Sequence, residues 1–227
     1  MTDFTLSTST STPQSLTAEV GVVLPTGSIL SLDGACVTMA GQSTLLNFGT
    51  IFGADDLTLH LLDSGNAIEN HGALSGRGVV ILSSQSASSG WTHIVNHGTI
   101  TQSRDPANPM SAAMLLEDAA MISNSGRISG VGAQGIVIYD VAGFGSRIVN
   151  TGIITCSSQG ASAINFLSGA DDTVVNTGQI MGNILLGGGN DLFDGIGGTL
   201  IGSISGGWGD DIYRVSDSNI RIDDSDG

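Results

Sequence analysis

Two short segments carry the residues best suited to chemistry: Leu186-Gly187-Gly188-Gly189-Asn190-Asp191-Leu192-Phe193 and Gly206-Gly207-Trp208-Gly209-Asp210-Asp211-Ile212-Tyr213. Asp191 and Asp211 stand 20 residues apart, and a weaker copy, Gly169-Ala170-Asp171, places Asp171 another 20 residues earlier. Glycine-rich turns are tight enough to expose backbone carbonyls, and an aspartate beside them adds charge; such oxygens are the ligands of a hard divalent cation. Ten of the 21 acidic residues fall in the last 57 positions, opposed there by Arg214 and Arg221. The acidic tail Asp223-Asp224-Ser225-Asp226 reads as a solvated run.

The elements that position these turns follow from the rest of the chain. It has 227 residues and a net charge of −15, with six Arg and no Lys. That balance excludes nucleic-acid binding by phosphate neutralisation and a cationic membrane-surface helix. No run of apolar residues is long enough to insert in a membrane as a helix. Gly, at 34 residues, accompanies 40% hydrophobics, so the chain can bury a core while turning often, which points to an all-β fold.

A ladder runs through it. The pattern apolar-x-Asn-x-Gly-x-apolar occurs six times, at Asn47, Asn70, Asn96, Asn124, Asn150 and Asn176, each followed two positions later by Gly. The steps are 23, 26, 28, 26 and 26 residues, and a degenerate copy, Val23-Leu24-Pro25-Thr26-Gly27, precedes them without the Asn. Steps of this size read as a solenoid, each coil burying its apolar face against its neighbours. The flanking residues then form apolar columns, Leu45 to Val174 on one side of the turn and Ile51 to Ile180 on the other. β-branched residues and a Gly in every repeat argue against helices. Second apolar runs such as Leu57–Leu61, Val79–Leu82 and Ile164–Leu167 supply further strands.

The expected architecture is a single-stranded right-handed parallel β-helix of about eight coils, a rod roughly 40 Å long. Its parts are a Ser/Thr-rich leader or cap over residues 1–18, the ladder over 19–182, and the glycine- and aspartate-rich coils with the acidic tail over 183–227. Ten of the first seventeen residues are Ser or Thr, without the basic and apolar regions of a signal peptide. The Asn side chains are expected to hydrogen-bond from coil to coil, and the Gly to provide a positive φ or room for the turn.

Over residues 19–182 the chain resembles the β-helical passenger and adhesin domains of large bacterial surface proteins. The segments at 187–193 and 207–213 look like the repeat of the RTX, or hemolysin-type calcium-binding, family, G-G-x-G-x-D-x-(apolar)-x. In that family, carbonyls of one turn and Asp carboxylates of stacked turns share each Ca²⁺. On matching positions the resemblance implies Gly187, Gly189, Asp191, Gly207, Gly209 and Asp211 as the ligand set, with Asp171 as an outlying member. The family's coils carry two motifs each, whereas here one falls in each 20-residue coil, which allows one column of ions. The resemblance also implies a secreted or cell-surface protein exported by type I machinery.

The remaining candidates are sparse. His71 and His97 occupy equivalent positions in successive coils, yet no third zinc ligand is evident, so a solvent-facing pair is expected. Cys36 and Cys156 fall five coils apart, about 24 Å, beyond disulfide reach, and are expected to be buried free thiols. Tyr139-Asp140 near Arg147, and Glu117-Asp118 beside the turn-rich insertion Thr101 to Met110, are the clusters a catalytic site would draw on. No nucleophile, base and orienting group stand at compatible spacing, and aromatic sugar platforms are few.

The sequence therefore favours a non-catalytic calcium-binding rod of structural or adhesive role. Its expected partners are calcium ions, polysaccharide or other surface proteins, and further copies docked end to end, with neither nucleic acid nor membrane insertion. The alternative is a carbohydrate-active module of epimerase or lyase type acting on acidic polysaccharide.

Overall fold

The computed structural model describes residues 2–55, 57–84, 90–103, 112–131, 134–157 and 161–224. These form three parallel sheets of ten, nine and ten strands and, among the described residues, no helix. From Thr2 to Arg214 the chain visits the sheets in strict rotation, so each three-strand turn lies on the one before and the molecule is a β-solenoid. Eight complete turns run from Val20 to Trp208.

The segment expected as a leader is itself a rung. Thr2–Leu6, Ser9–Thr10 and Gln14–Thr17 each pair with a strand of the next turn. Leu16 supplies a buried side chain there, while Ser28 Oγ donates to Ser9 Oγ at 2.8 Å on the outside. Hydroxyl-rich sequence can therefore form a coil when its few apolar residues fall on the inward positions. At the other end Ile212–Arg214 and Arg221–Asp223 continue the first and third sheets.

The core is the set of apolar columns. Leu45, Ile68, Ile94, Ile122, Ile148 and Val174 lie in register in the first sheet and are buried. Ile51, Leu74, Ile100, Ile128, Ile154 and Ile180 do the same in the second. A one-residue slip would turn every one of them outward, so the pattern fixes the register.

Each first-sheet strand from Thr44–Asn47 to Thr173–Asn176 ends in the ladder Asn. The amides form a continuous chain: Asn47 Nδ2 donates to Asn70 Oδ1 at 2.7 Å, and the bond repeats through Asn96, Asn124 and Asn150 to Asn176 at 2.7 or 2.8 Å. The ladder carbonyl also holds the backbone, because Ser125 and Gly126 both donate N–H groups to Asn96 O, at 2.8 and 3.1 Å. Val23, not Pro25, stands in register with Asn47, since the turn from Val23 to Gly27 is two residues longer.

The following glycines do not have positive φ. Their requirement is space: a Cβ on Gly72, Gly98, Gly126, Gly152 or Gly178 would strike the carbonyl oxygen of the corresponding Gly one turn before. Coils stack at the strand spacing here because these positions have no side chain.

Candidate functional site

The candidate site lies at the corner where the chain leaves the third sheet and enters the first. From the strand Thr44–Asn47 onward, one column of the first sheet holds Ser43, Asn66, Thr92, Ala120, Ser146, Asp172, Asp191 and Asp211, each immediately before its strand except Thr92 and Ala120, which are the second residues of longer strands. Where this side chain is polar, it mostly accepts the backbone N–H of its counterpart one turn earlier. Asn66 Oδ1 accepts from Ser43 at 2.9 Å and Ser146 Oγ from Ala120 at 3.0 Å. Asp172 Oδ1 accepts from Ser146 at 2.5 Å, Asp191 Oδ1 from Asp172 at 2.6 Å and Asp211 Oδ1 from Asp191 at 2.8 Å. This second ladder is neutral at its start and ends in three consecutive carboxylates.

Burial of that acidic end shifts its chemistry. Asp172 and Asp191 are each 1% exposed. Burial raises the Asp191 carboxyl to about 8, against the pull of the Asp172 N–H and with the charges of Asp172, Asp211 and Asp171 adding to the rise. Asp172 is raised to about 7 for the same first reason, although hydrogen bonds from Ser146 and Ser168 oppose it. Asp191 Oδ2 is buried and has no hydrogen-bond partner among the described residues. A buried carboxylate oxygen without a donor calls for a proton or a cation.

The glycine turns flank this column. Gly187, Gly189, Gly207 and Gly209 have φ of 97°, 113°, 104° and 119°, a conformation that side chains rarely adopt. Gly187 pairs with Gly207 in the third sheet, and the Gly187 and Gly189 carbonyl oxygens lie where a Cβ on Gly207 and Gly209 would fall. Tyr213, in register with buried Phe193, donates its hydroxyl to Asp211 Oδ2 at 3.1 Å.

Asp171 sits elsewhere than its spacing suggested. Thr173 pairs with Leu192, a step of 19, so Asp191 stacks on Asp172 and Asp171 falls in an adjacent outer column. There Asp171 Oδ1 accepts from Asn190 N at 2.7 Å, and Asn190 Oδ1 accepts from Asp210 N at 3.0 Å. The sequence reading missed Asp172. The signal for it was present, since Ser43, Asn66, Thr92, Ser146 and Asp172 each stand four residues before a ladder Asn.

The other candidates disperse. Asp118, raised to about 6 by burial and then by Glu117, Asp140 and Asp63, lies at the same corner several turns earlier, with its Oδ2 unpartnered among the described residues. Asp140 is buried and spends its carboxylate on the N–H groups of Gly143 and Gly145, at 3.2 and 2.8 Å. Arg147 instead lines an open groove of about 250 Å³ on the first sheet with His93, Met121 and Ser123. That lining holds no carboxylate, and the Asp140 carboxylate is turned to the loop at Gly143 and Gly145 instead. Arg104 to Met110 of the insertion and Ser225-Asp226 of the tail lie outside the described residues. Cys36 is buried and Cys156 half-buried; both are free, with thiol pKa values raised by burial.

Compared with protein-family models, curated proteins and solved structures, the chain matches none.

Proposed function

We propose that the chain is a calcium-binding, non-catalytic segment of a secreted, RTX-like bacterial surface protein, a rod of structural or adhesive role whose acidic corner is held together by Ca²⁺. The observation that carries this reading is the buried, unpartnered Asp191 Oδ2 in a column of carboxylates beside two stacked turns of positive-φ glycines. Asp191 and Asp211, with the carbonyls of Gly187, Gly189, Gly207 and Gly209, would hold the ion, and Asp172 joins them as the next carboxylate of the column. Ca²⁺ would supply the positive charge that lets buried carboxylates ionise side by side. Oxygen ligands throughout are the donor set that Ca²⁺ prefers.

Hydrogen exchange with Ca²⁺ and with EDTA tests the proposal. Chelation is expected to deprotect residues 183–215 first and leave the Asn-ladder turns protected, because binding free energy is coupled to the folding of the site. The double substitution Asp191→Ala with Asp211→Ala is expected to abolish the difference. Equal protection in both buffers, or a calcium response that survives the double substitution, overturns the proposal. Assay of the purified chain on alginate and pectin checks the non-catalytic part, with no turnover expected.

A further inference from the structure

We propose that Glu69, His71 and His97 form a second metal site, separate from the acidic corner, that takes a late first-row divalent ion such as Zn²⁺. His71 and His97 each directly follow a ladder Asn, in successive turns. Their backbones are clamped in register, His71 N donating to Asn47 O at 2.7 Å and His97 N to Asn70 O at 2.8 Å. The two imidazoles stack with centroids 4.7 Å apart, and Phe48 from the turn before stacks on His71 at 4.8 Å. Glu69, two residues before His71, brings Oε1 to 2.7 Å from His71 Nε2. One donor atom from each of the three residues lies within 4.8 Å of the others. The third ligand was invisible in the repeat pattern because Glu69 has valine as its counterpart one turn later.

The donor set selects the metal. Two imidazoles and one carboxylate suit Zn²⁺, Cu²⁺ or Ni²⁺, whereas Ca²⁺ prefers oxygen ligands throughout. His97 Nδ1 bonds Ser125 Oγ at 2.7 Å, which orients the ring and leaves Nε2 to coordinate, as an outer partner does for a metal-bound histidine. The Glu69 and His71 side chains are 45% and 35% exposed, so an ion can enter from solvent and keep water in its remaining position. Rings inclined by 29° do not aim their lone pairs at one point, so binding requires the imidazoles to turn about χ2 and loosen the Phe48 stack. Coordination through Nε2 takes the tautomer with the ring proton on Nδ1, so the ion displaces the His71–Glu69 hydrogen bond and the ring keeps its proton.

The test is Zn²⁺ titration of the full chain by calorimetry, with saturating Ca²⁺ present to occupy the acidic corner. One ion per chain is expected. His71→Ala, His97→Ala and Glu69→Gln should each weaken binding at least about tenfold, whereas Asp191→Asn should not. Co²⁺ provides a readout that needs no variant: it should give the intense visible absorption of four-coordinate, nitrogen-containing ligation. The proposal is overturned by the absence of saturable Zn²⁺ binding, by affinity unchanged in the His71→Ala/His97→Ala double variant, by loss of binding in Asp191→Asn, or by the weak Co²⁺ spectrum of six oxygens. Any of these leaves the two rings as a stacking column. Failure here does not touch the calcium proposal, which is read from residues 183–215.

Discussion

Asp191 Oδ1 accepts the backbone N–H of Asp172 at 2.6 Å, which places two buried carboxylates in adjacent turns of one column. Without a cation, folding favours their protonated forms. The native values of about 8 and 7 lie above the ordinary 3.8, so between pH 4 and 8 the folded chain keeps protons that the unfolded chain has lost. Stability from this source is complete below pH 4 and is lost as the pH rises through 7 and 8. In EDTA the unfolding temperature should therefore fall from pH 5 to pH 8.5, and Asp191→Asn should flatten the decline because an amide does not titrate. Scanning calorimetry of both proteins checks this; parallel profiles would remove Asp191 as the cause.

The amide ladder sets a second expectation. Asn124 gives its Nδ2 to Asn150 and takes the Nδ2 of Asn96 on Oδ1, both at 2.7 Å and out of contact with water. Asn124→Ala leaves both neighbours short of a partner and should cost about 1–3 kcal/mol. Ser123→Ala, at the exposed neighbouring position, serves as the reference in thermal or denaturant unfolding. Equal stability of the two variants would sink the idea that the ladder is energetically important.

Gly126→Ala should be worse than Asn124→Ala. The backbone at Gly126 suits any residue, yet a Cβ there would run into the Gly98 carbonyl of the preceding turn. Relief requires two coils to separate, which stretches ladder bonds on both sides. Gly34→Ala is the contrast: its φ of 73° costs about 1–2 kcal/mol of backbone strain, but nothing lies within 4 Å of the added methyl. If the two alanine variants melt together, close coil stacking is not what the ladder glycines provide.

How much of this could be read from the sequence depends on how strictly a position repeats. The Asn ladder and its apolar columns were legible because Asn47 to Asn176 keep one residue type at one register position. The second ladder was not, because Ser, Asn, Thr, Ala and Asp all occupy it and what they mostly share is a hydrogen bond to the previous turn. Counting back from the glycine motif selected Asp171; counting back from Asn176 selects Asp172, the residue that stacks. The first turn was hidden by composition, since Leu16 with Phe4 and Leu6 suffices to seat a Ser/Thr-rich coil on the core. Positive φ was foreseeable only in kind: the glycine turns at 187–189 and 207–209 need it, whereas the ladder glycines need space.

Trp208 offers a direct optical test of calcium binding. It lies between Gly207 and Gly209 and is 73% exposed, while its carbonyl accepts the Gly189 N–H at 2.9 Å. The other tryptophan, Trp91, is on the first sheet four turns away, so Trp91→Phe leaves a single reporter at the acidic corner. An ion held by the Gly207 and Gly209 carbonyls and by Asp211 fixes the backbone on both sides of Trp208 and neutralises the nearest carboxylates. Calcium should therefore raise the fluorescence anisotropy of the Trp91→Phe protein and alter its emission, reversibly with EDTA. Adding Asp191→Asn and Asp211→Asn should remove the response, while Asn124→Ala, three turns distant, should leave it intact. Emission and anisotropy that ignore calcium in the Trp91→Phe protein would show that no ion binds at this turn.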